Sequence, residues 1–288
     1  MFRNSGIIEN VRYWGLALSV CILAAQDSPV IRVPVRLVAV PTLVFSKEDK
    51  LIPGLKKTDF RVLDNGIPQA IHLDTDDAPV SVVIAIQTNT DVRGPLRYIT
   101  KVGSVMEAHL VGATGRAAVI SYAGNIKVLK PFGSGDVRAA FRNVKVAGSK
   151  ARMVDAGLQA IDLLKDRPRT HARVILFIGQ AEDRGSDAAL TALAREADRE
   201  NVSIYALNCC DGKSLAPLIA STGGTELHFH QQTELENVIG RLGVELRSAY
   251  LLSYYPSSDD AGQHTISVEV SVPGAHTQSR PGYFLSPN

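Results

Sequence analysis

Two hydrophobic patterns divide this chain. Residues 30–75 and 248–288 carry apolar side chains at alternate positions, the period of strands with one buried face. Between them, short continuous apolar runs alternate with segments whose apolar residues recur every three or four positions. Continuous runs are typical of parallel strands covered on both faces. The pattern predicts an α/β protein with a doubly wound, mostly parallel Rossmann-like sheet, and a small accessory β module formed by the N- and C-terminal segments.

The central part is predicted to begin with a buried strand from Val80 to Ile86, and further strands are expected at 117–121, 126–129, 174–178, 202–207 and 226–229. Helices are expected at 96–110, 137–144, 154–164, 215–220 and 235–246. A further helix should be capped by Ser186 and Asp187 and run to Arg199, with its apolar stripe at Leu190, Leu193, Ala194 and Ala197. In the N-terminal segment, Asn65-Gly66 between alternating residues predicts a tight hairpin.

A polar cluster, Gln87 to Asp91, follows the first buried strand of the central part. Polar residues just past the carboxyl end of such a strand lie where open α/β sheets bind their ligands. The strand and its polar end resemble the first strand of a von Willebrand factor A domain, which ends in the D-x-S-x-S core of a metal-ion-dependent adhesion site. Here the same frame reads Gln87-x-Asn89-x-Asp91.

The other metal-ligand positions of that family also depart from its motif. The threonine that lies four residues before a helix-opening Asp-Ala is Ala151 in this chain, ahead of Asp155-Ala156. The second aspartate matches Gln180, after the strand ending at Ile178. Mg²⁺ prefers hard oxygen ligands with at least one carboxylate, so the resemblance implies the fold with a degenerate site and no metal or other cofactor.

The flanking segments carry a second resemblance. The phrase GLKKTDFRVLDNGIPQAI, and the C-terminal phrases YLLSYYP, HTISVEVSVP and RPGYF, resemble those of secreted bacterial VWFA-related proteins of an acidobacterial type. This divides the chain into an N-terminal β segment (26–78), an A-like domain (79–247) and a C-terminal β segment (248–288) that packs with the first.

Residues 1–25 are predicted to be a signal peptide. Arg3 and Arg12 precede an apolar stretch that ends in small residues at Ala25, and this stretch is too short to span a bilayer as a stable helix. Cleavage near Ala25 would place the mature chain, without a membrane span, outside the cell or in the periplasm. Two alternatives remain open: lipidation at Cys21, and retention as an uncleaved anchor.

Charge and cysteine content exclude some classes of function. The 31 basic and 29 acidic residues are interspersed and only 6% of residues are aromatic, so the sequence has neither the excess of positive charge nor the aromatic side chains that nucleic-acid binding requires. Cys209 and Cys210 could form a vicinal disulfide, pair with another chain or remain two small residues at a strand end. They have neither redox nor zinc-ligand spacing.

The resemblance implies a non-enzymatic secreted or envelope protein that mediates protein–protein interaction or adhesion, with a protein partner of unknown identity. Six side chains are the candidates for partner binding: Gln87, Asn89, Asp91, Gln180, Glu182 and Asp183. The alternative is a nucleotide-binding or hydrolytic Rossmann-like enzyme that uses the loop Asp211–Ser214, although that loop lacks the first glycine of a phosphate-binding loop.

Overall fold

The computed structural model describes residues 37–74, 79–133, 135–168, 171–210, 215–258 and 260–285. These residues all belong to one unit, Val35–Asn288. The predicted signal peptide (1–25) and the start of the N-terminal β segment lie outside the described residues.

Strands in the described residues form one six-stranded and two four-stranded sheets. In chain order they are β1 Val38–Phe45, β2 Phe60–Asp64, β3 Ile67–Pro68, β4 Ile71–Asp74, β5 Val80–Gln87, β6 Arg116–Tyr122, β7 Ile126–Lys130, β8 Ala172–Gly179, β9 Val202–Asn208, β10 Glu226–His228, β11 Tyr250–Tyr254, β12 Gly262–Val270, β13 His276–Gln278 and β14 Gly282–Leu285. The large sheet has the order β10-β9-β8-β5-β6-β7 and is parallel except for β7 at its edge. The predicted α/β class with a mostly parallel sheet is confirmed.

Helices cover both faces of the large sheet. They are α1 Arg93–Ile99, α2 Gly103–Met106, α3 Val137–Arg142, α4 Met153–Lys165, α5 Leu190–Arg199, α6 Ala216–Ser221 and α7 Gln232–Ser248, with a π-helical turn at Glu107–Val111. Within the described part of the chain, none of these helices has the length and hydrophobicity needed to cross a membrane.

Strand β5 explains why both faces need cover. Val82, Ile84 and Ile86 enter the hydrophobic core shared with α1, α2, α3 and α7. Val83 and Ala85 enter the opposite core, shared with α4, α5 and α6. Because side chains alternate between the two faces of a strand, a continuous apolar run is compatible only with burial on both sides.

The helix expected from Leu96 to Leu110 is divided in the structure. The amides of Lys101 and Val102 bond three residues back, to Tyr98 and Ile99, which ends α1 in a tight turn. α2 then starts at Gly103, where an added Cβ would lie 2.8 Å from the Cα of Arg138 in α3. The prediction of one continuous helix was therefore wrong, because the close approach of α3 changes the direction of the chain.

The start of α5 was also predicted wrongly. The helix begins at Leu190 and has no side-chain cap. The hydroxyl of Ser186 accepts a hydrogen bond from the amide of Asp155 instead, at 3.2 Å, and the Asp187 amide donates to the Asp155 carboxylate. Leu190 is exposed, whereas Leu193 and Ala197 of the expected apolar stripe are buried.

The two small sheets combine strands from both ends of the chain. One has the order β13-β1-β11-β4 and the other β14-β12-β2-β3. In the first, β1 pairs antiparallel with β11; in the second, β2 pairs with β12. Their inner faces share one hydrophobic core, which includes Val40, Val62, Leu252 and Val268. The predicted accessory β module from both terminal segments is confirmed.

The expected hairpin joins β2 to β3. Asn65 and Gly66 both have positive φ, 48° and 80°. This is the backbone that a two-residue hairpin turn requires and that asparagine and glycine tolerate best. β4 then leaves this sheet and pairs with β11 in the other.

A buried polar cluster ties four strands of the β module together. The Asp64 carboxylate accepts hydrogen bonds from the hydroxyls of Tyr254, at 3.0 Å, and Tyr283, at 2.7 Å. Its other oxygen lies 2.8 Å from Nδ1 of His264, and Nε2 of His264 lies 2.7 Å from the carbonyl oxygen of Asp260. An imidazolium can donate from both ring nitrogens to these acceptors, and Nδ1 also lies 3.2 Å from the hydroxyl of Tyr283 and 3.4 Å from Nδ2 of Asn65.

The β module is joined to the large sheet through the turn before β9. The side chain of Asn201 accepts from the amide of Ala39 at 3.1 Å and donates to the carbonyl of Leu37 at 3.0 Å. Arg280 forms an ion pair with Asp198 of α5. The buried guanidinium of Arg280 therefore has a counter-charge from the helical layer.

We predict that His264 makes the β module less stable at alkaline pH. Burial alone would lower the pKa of His264, but hydrogen bonds to the Asp260 carbonyl and the Asp64 carboxylate, and the charge of Asp64, outweigh it and raise the pKa. A histidine whose pKa is higher in the folded protein than in the unfolded chain stabilises the fold. This contribution is complete below the pKa of the unfolded chain, about 6.5, and is lost as the pH rises through the pKa of the folded protein.

Urea unfolding between about pH 6 and pH 9 checks this, with 6.5 as the reference for a free histidine. The stability difference between the wild type and His264→Gln should be largest at the acid end and shrink as pH rises. His72→Gln, at an exposed histidine of β4, is the control and should show no such trend. A difference that stays constant over this range would contradict the prediction.

Candidate functional site

Three amide side chains meet at the carboxyl ends of β5 and β8. Nε2 of Gln87 donates to Oδ1 of Asn89 at 2.8 Å and to Oε1 of Gln180 at 3.3 Å. Oε1 of Gln87 accepts from the backbone amide of Gln180 at 2.7 Å. Gln87 and Asn89 are fully buried. Gln87, Asn89 and Gln180 are therefore joined by hydrogen bonds and are hereafter called the amide cluster.

Gly179 allows the amide cluster to form. A Cβ at this position would lie 2.3 Å from Oε1 and 2.5 Å from Cβ of Gln87. Only a residue without a side chain lets the end of β8 approach Gln87 this closely. The glycine thus sets the position from which the Gln180 amide reaches Gln87.

The site has its own cation, Arg184. Nη1 of Arg184 lies 2.8 Å from Oδ2 of Asp91, and Nη2 lies 3.6 Å from Oε2 of Glu182. The same Asp91 oxygen accepts from Nδ2 of Asn89 at 2.9 Å. Asp91, the one carboxylate left in the D-x-S-x-S frame, therefore already has a positive partner. Arg184 was not among the residues predicted from the sequence.

Ala151 joins the site through its backbone. Its amide donates to the carbonyl of Arg184 at 2.9 Å, and the amide of Arg184 donates back to Ala151 at 2.7 Å. This pair of bonds holds the loop after β8 beside the start of α4. Position 151 thus lies beside the other motif positions but contributes no side-chain oxygen.

Asp183 and Asp155 hold the loop after β8 against α4. Oδ1 of Asp183 accepts from the amide of Val154, in the first turn of α4, at 3.0 Å. The Asp155 carboxylate accepts from the amides of Asp187, at 3.0 Å, and Ala188, at 3.1 Å. Asp183, a predicted partner-binding candidate, thus directs its carboxylate to the helix amino end, where negative charge is stabilised.

Hydrogen bonding also fixes the ionisation of Asp155. Burial would raise the pKa of its carboxyl, but hydrogen bonds from the amides of Asp187 and Ala188 and from Arg152 outweigh it and lower the pKa. The guanidinium of Arg152 donates to Asp155 at 2.8 Å. Asp155 is therefore a charged anchor of the loop.

Two thiols border the amide cluster at the end of β9. Nε2 of Gln180 lies 3.6 Å from Sγ of Cys210, and Sγ of Cys209 lies 3.5 Å from Sγ of Cys210. Both cysteines are free thiols in the structure. Burial, and then the neighbouring Cys210, raise the pKa of the Cys209 thiol, so Cys209 is a poor nucleophile at neutral pH.

The amide oxygens are already engaged within the site. Those of Gln87, Asn89 and Gln180 all accept hydrogen bonds from the cluster itself, and Asp91 faces a guanidinium. A divalent cation needs several free oxygens and prefers carboxylates. The residues present therefore do not fit Mg²⁺ in this arrangement, and the site can instead offer the carboxylates of Asp91 and Glu182 and the guanidinium of Arg184 to a polar surface.

The other chemical motif considered from the sequence, the loop Asp211–Ser214, lies outside the described residues.

One solved structure identifies the fold, and two others are similar to part of the chain. A von Willebrand factor type A protein from Catenulispora acidiphila is similar over 88% of this chain and 74% of that chain, with a TM-score of 0.50 and 10% identity. BatB from Bacteroides thetaiotaomicron is similar over 58% of this chain and 98% of that chain (TM-score 0.46, 13% identity), and the SpRpn10 VWA domain over 55% and 94% (TM-score 0.42, 14% identity). No protein family model matches the chain, and no curated protein does. The first similarity shows that the chain has a von Willebrand factor A fold.

We predict that Gln87→Glu destabilises the protein at neutral pH by about 1–3 kcal/mol. The substitution keeps the size of the side chain, but it replaces the Nε2 donor with an oxygen that faces the oxygens of Asn89 and Gln180. Burial raises the pKa of such a carboxyl. The loss of stability should therefore be complete at pH values above this raised pKa, and it should diminish as the pH falls toward about 4.3, the pKa of a free glutamate.

Chemical denaturation of the wild type and Gln87→Glu at several pH values checks this prediction. Gln263→Glu, at an exposed position of β12, is the matched control and should change stability by less than about 0.5 kcal/mol. Equal stability of Gln87→Glu and wild type at pH 7 would show that the amide cluster does not depend on its donors.

Proposed function

We propose that this chain is a non-enzymatic protein-interaction module that binds a protein partner at the carboxyl edge of its sheet without a divalent metal. The observation that carries the proposal is the amide cluster with the Asp91–Arg184 ion pair, in which residues 87, 89, 91 and 180 are those that the sequence resemblance aligns with the adhesion-site motif. Buried amides and a paired carboxylate keep these positions satisfied without an ion.

Export of the chain is part of the proposal. It is supported by the charged and apolar pattern of residues 1–25, and by the resemblance of the β module to that of secreted bacterial proteins of the acidobacterial type. The partner would then belong to the envelope or its surroundings.

Exposed side chains at the edge are the groups that a partner would touch. Arg184 has 54% of its side chain exposed, and Glu182 and Asp91 about a third of theirs (34% and 31%). Gln87 and Asn89 are buried and would act by holding Asp91 and Gln180 in place. Arg184 is therefore the most direct target for disrupting binding.

Affinity capture from the envelope fraction of the native host tests the proposal. Wild-type protein should retain a partner in EDTA, and Arg184→Glu should lose it. Arg61→Glu is the matched control, since Arg61 is 60% exposed and also pairs with a glutamate, Glu269, in the β module. Loss of capture in EDTA, or equal capture by Arg184→Glu, would overturn the proposal.

We further predict that millimolar Mg²⁺ leaves the thermal unfolding of the wild type unchanged relative to EDTA. An ion that binds the native state raises stability by mass action, and the site has no free oxygen set to bind one. A rise of several degrees in the unfolding temperature with Mg²⁺ would mean that a metal ion binds and replaces hydrogen bonds of the amide cluster.

Restoring the motif should create Mg²⁺ dependence. The variant combines Gln87→Asp, Asn89→Ser, Asp91→Ser, Ala151→Thr and Gln180→Asp, which supplies carboxylates and hydroxyls at the five motif positions. We expect this variant to be less stable than wild type in EDTA, because it buries carboxylates without a counter-charge, and to be stabilised by Mg²⁺. The same response in both proteins, measured by calorimetry, would refute the interpretation of these positions as a degenerate site.

A further inference from the structure

A cavity of about 400 Å³ lies beside the amide cluster. It is bordered by the β6–β7 hairpin and by the segment that follows α3. Thr88, next to Gln87, and Gly148, whose carbonyl accepts from the amide of Thr90 at 3.0 Å, both line it. The cavity, hereafter the lysine cavity, therefore continues the carboxyl edge of the sheet on the side away from β8.

The polar side chains that line the lysine cavity can all donate hydrogen bonds, and none carries a negative charge. They are Thr88, Ser121, Asn125, Lys127, Asn143 and Lys145. Ser121 is 8% exposed, and its hydroxyl makes no hydrogen bond to the described residues. A hydroxyl that lines a cavity without a protein partner is free to donate to a ligand there.

The two lysines differ from the two arginines at this edge. Arg184 is paired with Asp91, and Arg152 with Asp155 and Asp187. Within the part of the chain that the structure describes, neither Lys127 nor Lys145 has an ion-pair partner. Two ammonium groups around one concave surface, without a carboxylate, attract an anion and disfavour a cation.

The apolar residues that line the lysine cavity favour a peptide over a free inorganic ion as its ligand. Leu129 and Val144 line the cavity, and Val146 at the same cavity is 36% exposed. Its volume is within the range of about 300–1,000 Å³ that is typical of ligand pockets and exceeds what a small anion fills. An aliphatic side chain beside a carboxylate would use both kinds of surface.

We propose that the lysine cavity binds an acidic segment of the protein partner, with carboxylates paired to Lys127 and Lys145 and an aliphatic side chain against Val146. This inference rests on the proposed function, since it names the chemistry of the partner that meets the carboxyl edge. In this proposal, the ammonium groups of Lys127 and Lys145 recognise the negative charge of the partner.

Fluorescence anisotropy with labelled peptides tests the inference on the purified protein. The probe is an octapeptide of alternating Glu and Val, and the control peptide has Gln for each Glu. The acidic peptide should bind, the control peptide should not, and high ionic strength should weaken binding because exposed charges are screened.

Charge-neutral variants locate the binding. Lys127→Gln combined with Lys145→Gln should weaken the acidic peptide by about fivefold or more, the range expected for the loss of two exposed ion pairs. Lys57→Gln combined with Lys101→Gln removes the same charge from exposed positions outside the cavity and should leave binding unchanged. Circular dichroism checks that both double variants remain folded.

Three outcomes would overturn the inference: equal binding by both double variants, equal binding of the acidic and control peptides, or binding of inorganic phosphate without binding of the peptide. The last would mean a small-anion site. If Arg184→Glu abolishes capture of the native partner while the lysine variant affects neither capture nor peptide, the inference is wrong and the proposed function stands. If the peptide binds as expected but wild type captures no partner, the proposed function fails by itself.

Discussion

The organisation of this protein depends on how a buried polar side chain at the end of a central strand is satisfied. Gln87 has no exposed surface, and its amide forms three hydrogen bonds that join the end of β5 to Asn89 and to the end of β8. A carboxylate in the same place would need a cation, because a buried charge without a partner costs far more than a buried amide. The neutral amide removes that requirement. Groups of the chain alone can therefore hold the loop after β8. The end of β8 approaches Gln87 closely at Gly179, the backbone of Ala151 bonds to that of Arg184, and the carboxylate of Asp155 accepts a hydrogen bond from the amide of Asp187.

The same edge separates its charges into two zones. Around the loop after β8, two arginines are paired with carboxylates, in the Arg184–Asp91 and Arg152–Asp155 pairs. Beside β7, the polar lining of the cavity with Lys127 and Lys145 consists of side chains that can donate and carries no carboxylate. A partner surface that meets both zones would encounter a patch of paired charges next to a positive one, so specificity would depend on how the partner is positioned across the two zones as well as on charge.

Features that follow from a local pattern or from the regular geometry of a sheet were predictable from the sequence, whereas features that depend on contacts of helices and loops were not. The continuous run Val80–Ile86 is typical of a strand covered on both faces, and Asn65-Gly66 tolerates the φ values of a tight hairpin. The amide cluster was also predictable, since the ends of parallel neighbouring strands coincide. The break after α1 was not, because it depends on the approach of α3 to Gly103. Ser186 has the residue type of a helix cap, but Asp155 and Asp183 bind it. Arg184 follows Glu182-Asp183, and nothing in that local pattern indicates that its guanidinium reaches back to Asp91.

The pairing of β2 with β12 has a consequence for the order in which the chain folds. Asp64 and His264, which are in contact in the β module, are 200 positions apart in the sequence. Contacts of such separation form slowly, because a long loop must close before any of them stabilises the chain. The large sheet draws all its strands from the stretch between Val80 and His228, so it can form while β2 still lacks β12. We therefore expect β1, and the edge of β2 that faces β12, to remain unpaired until the C-terminal strands form, so that pairing of these strands completes folding.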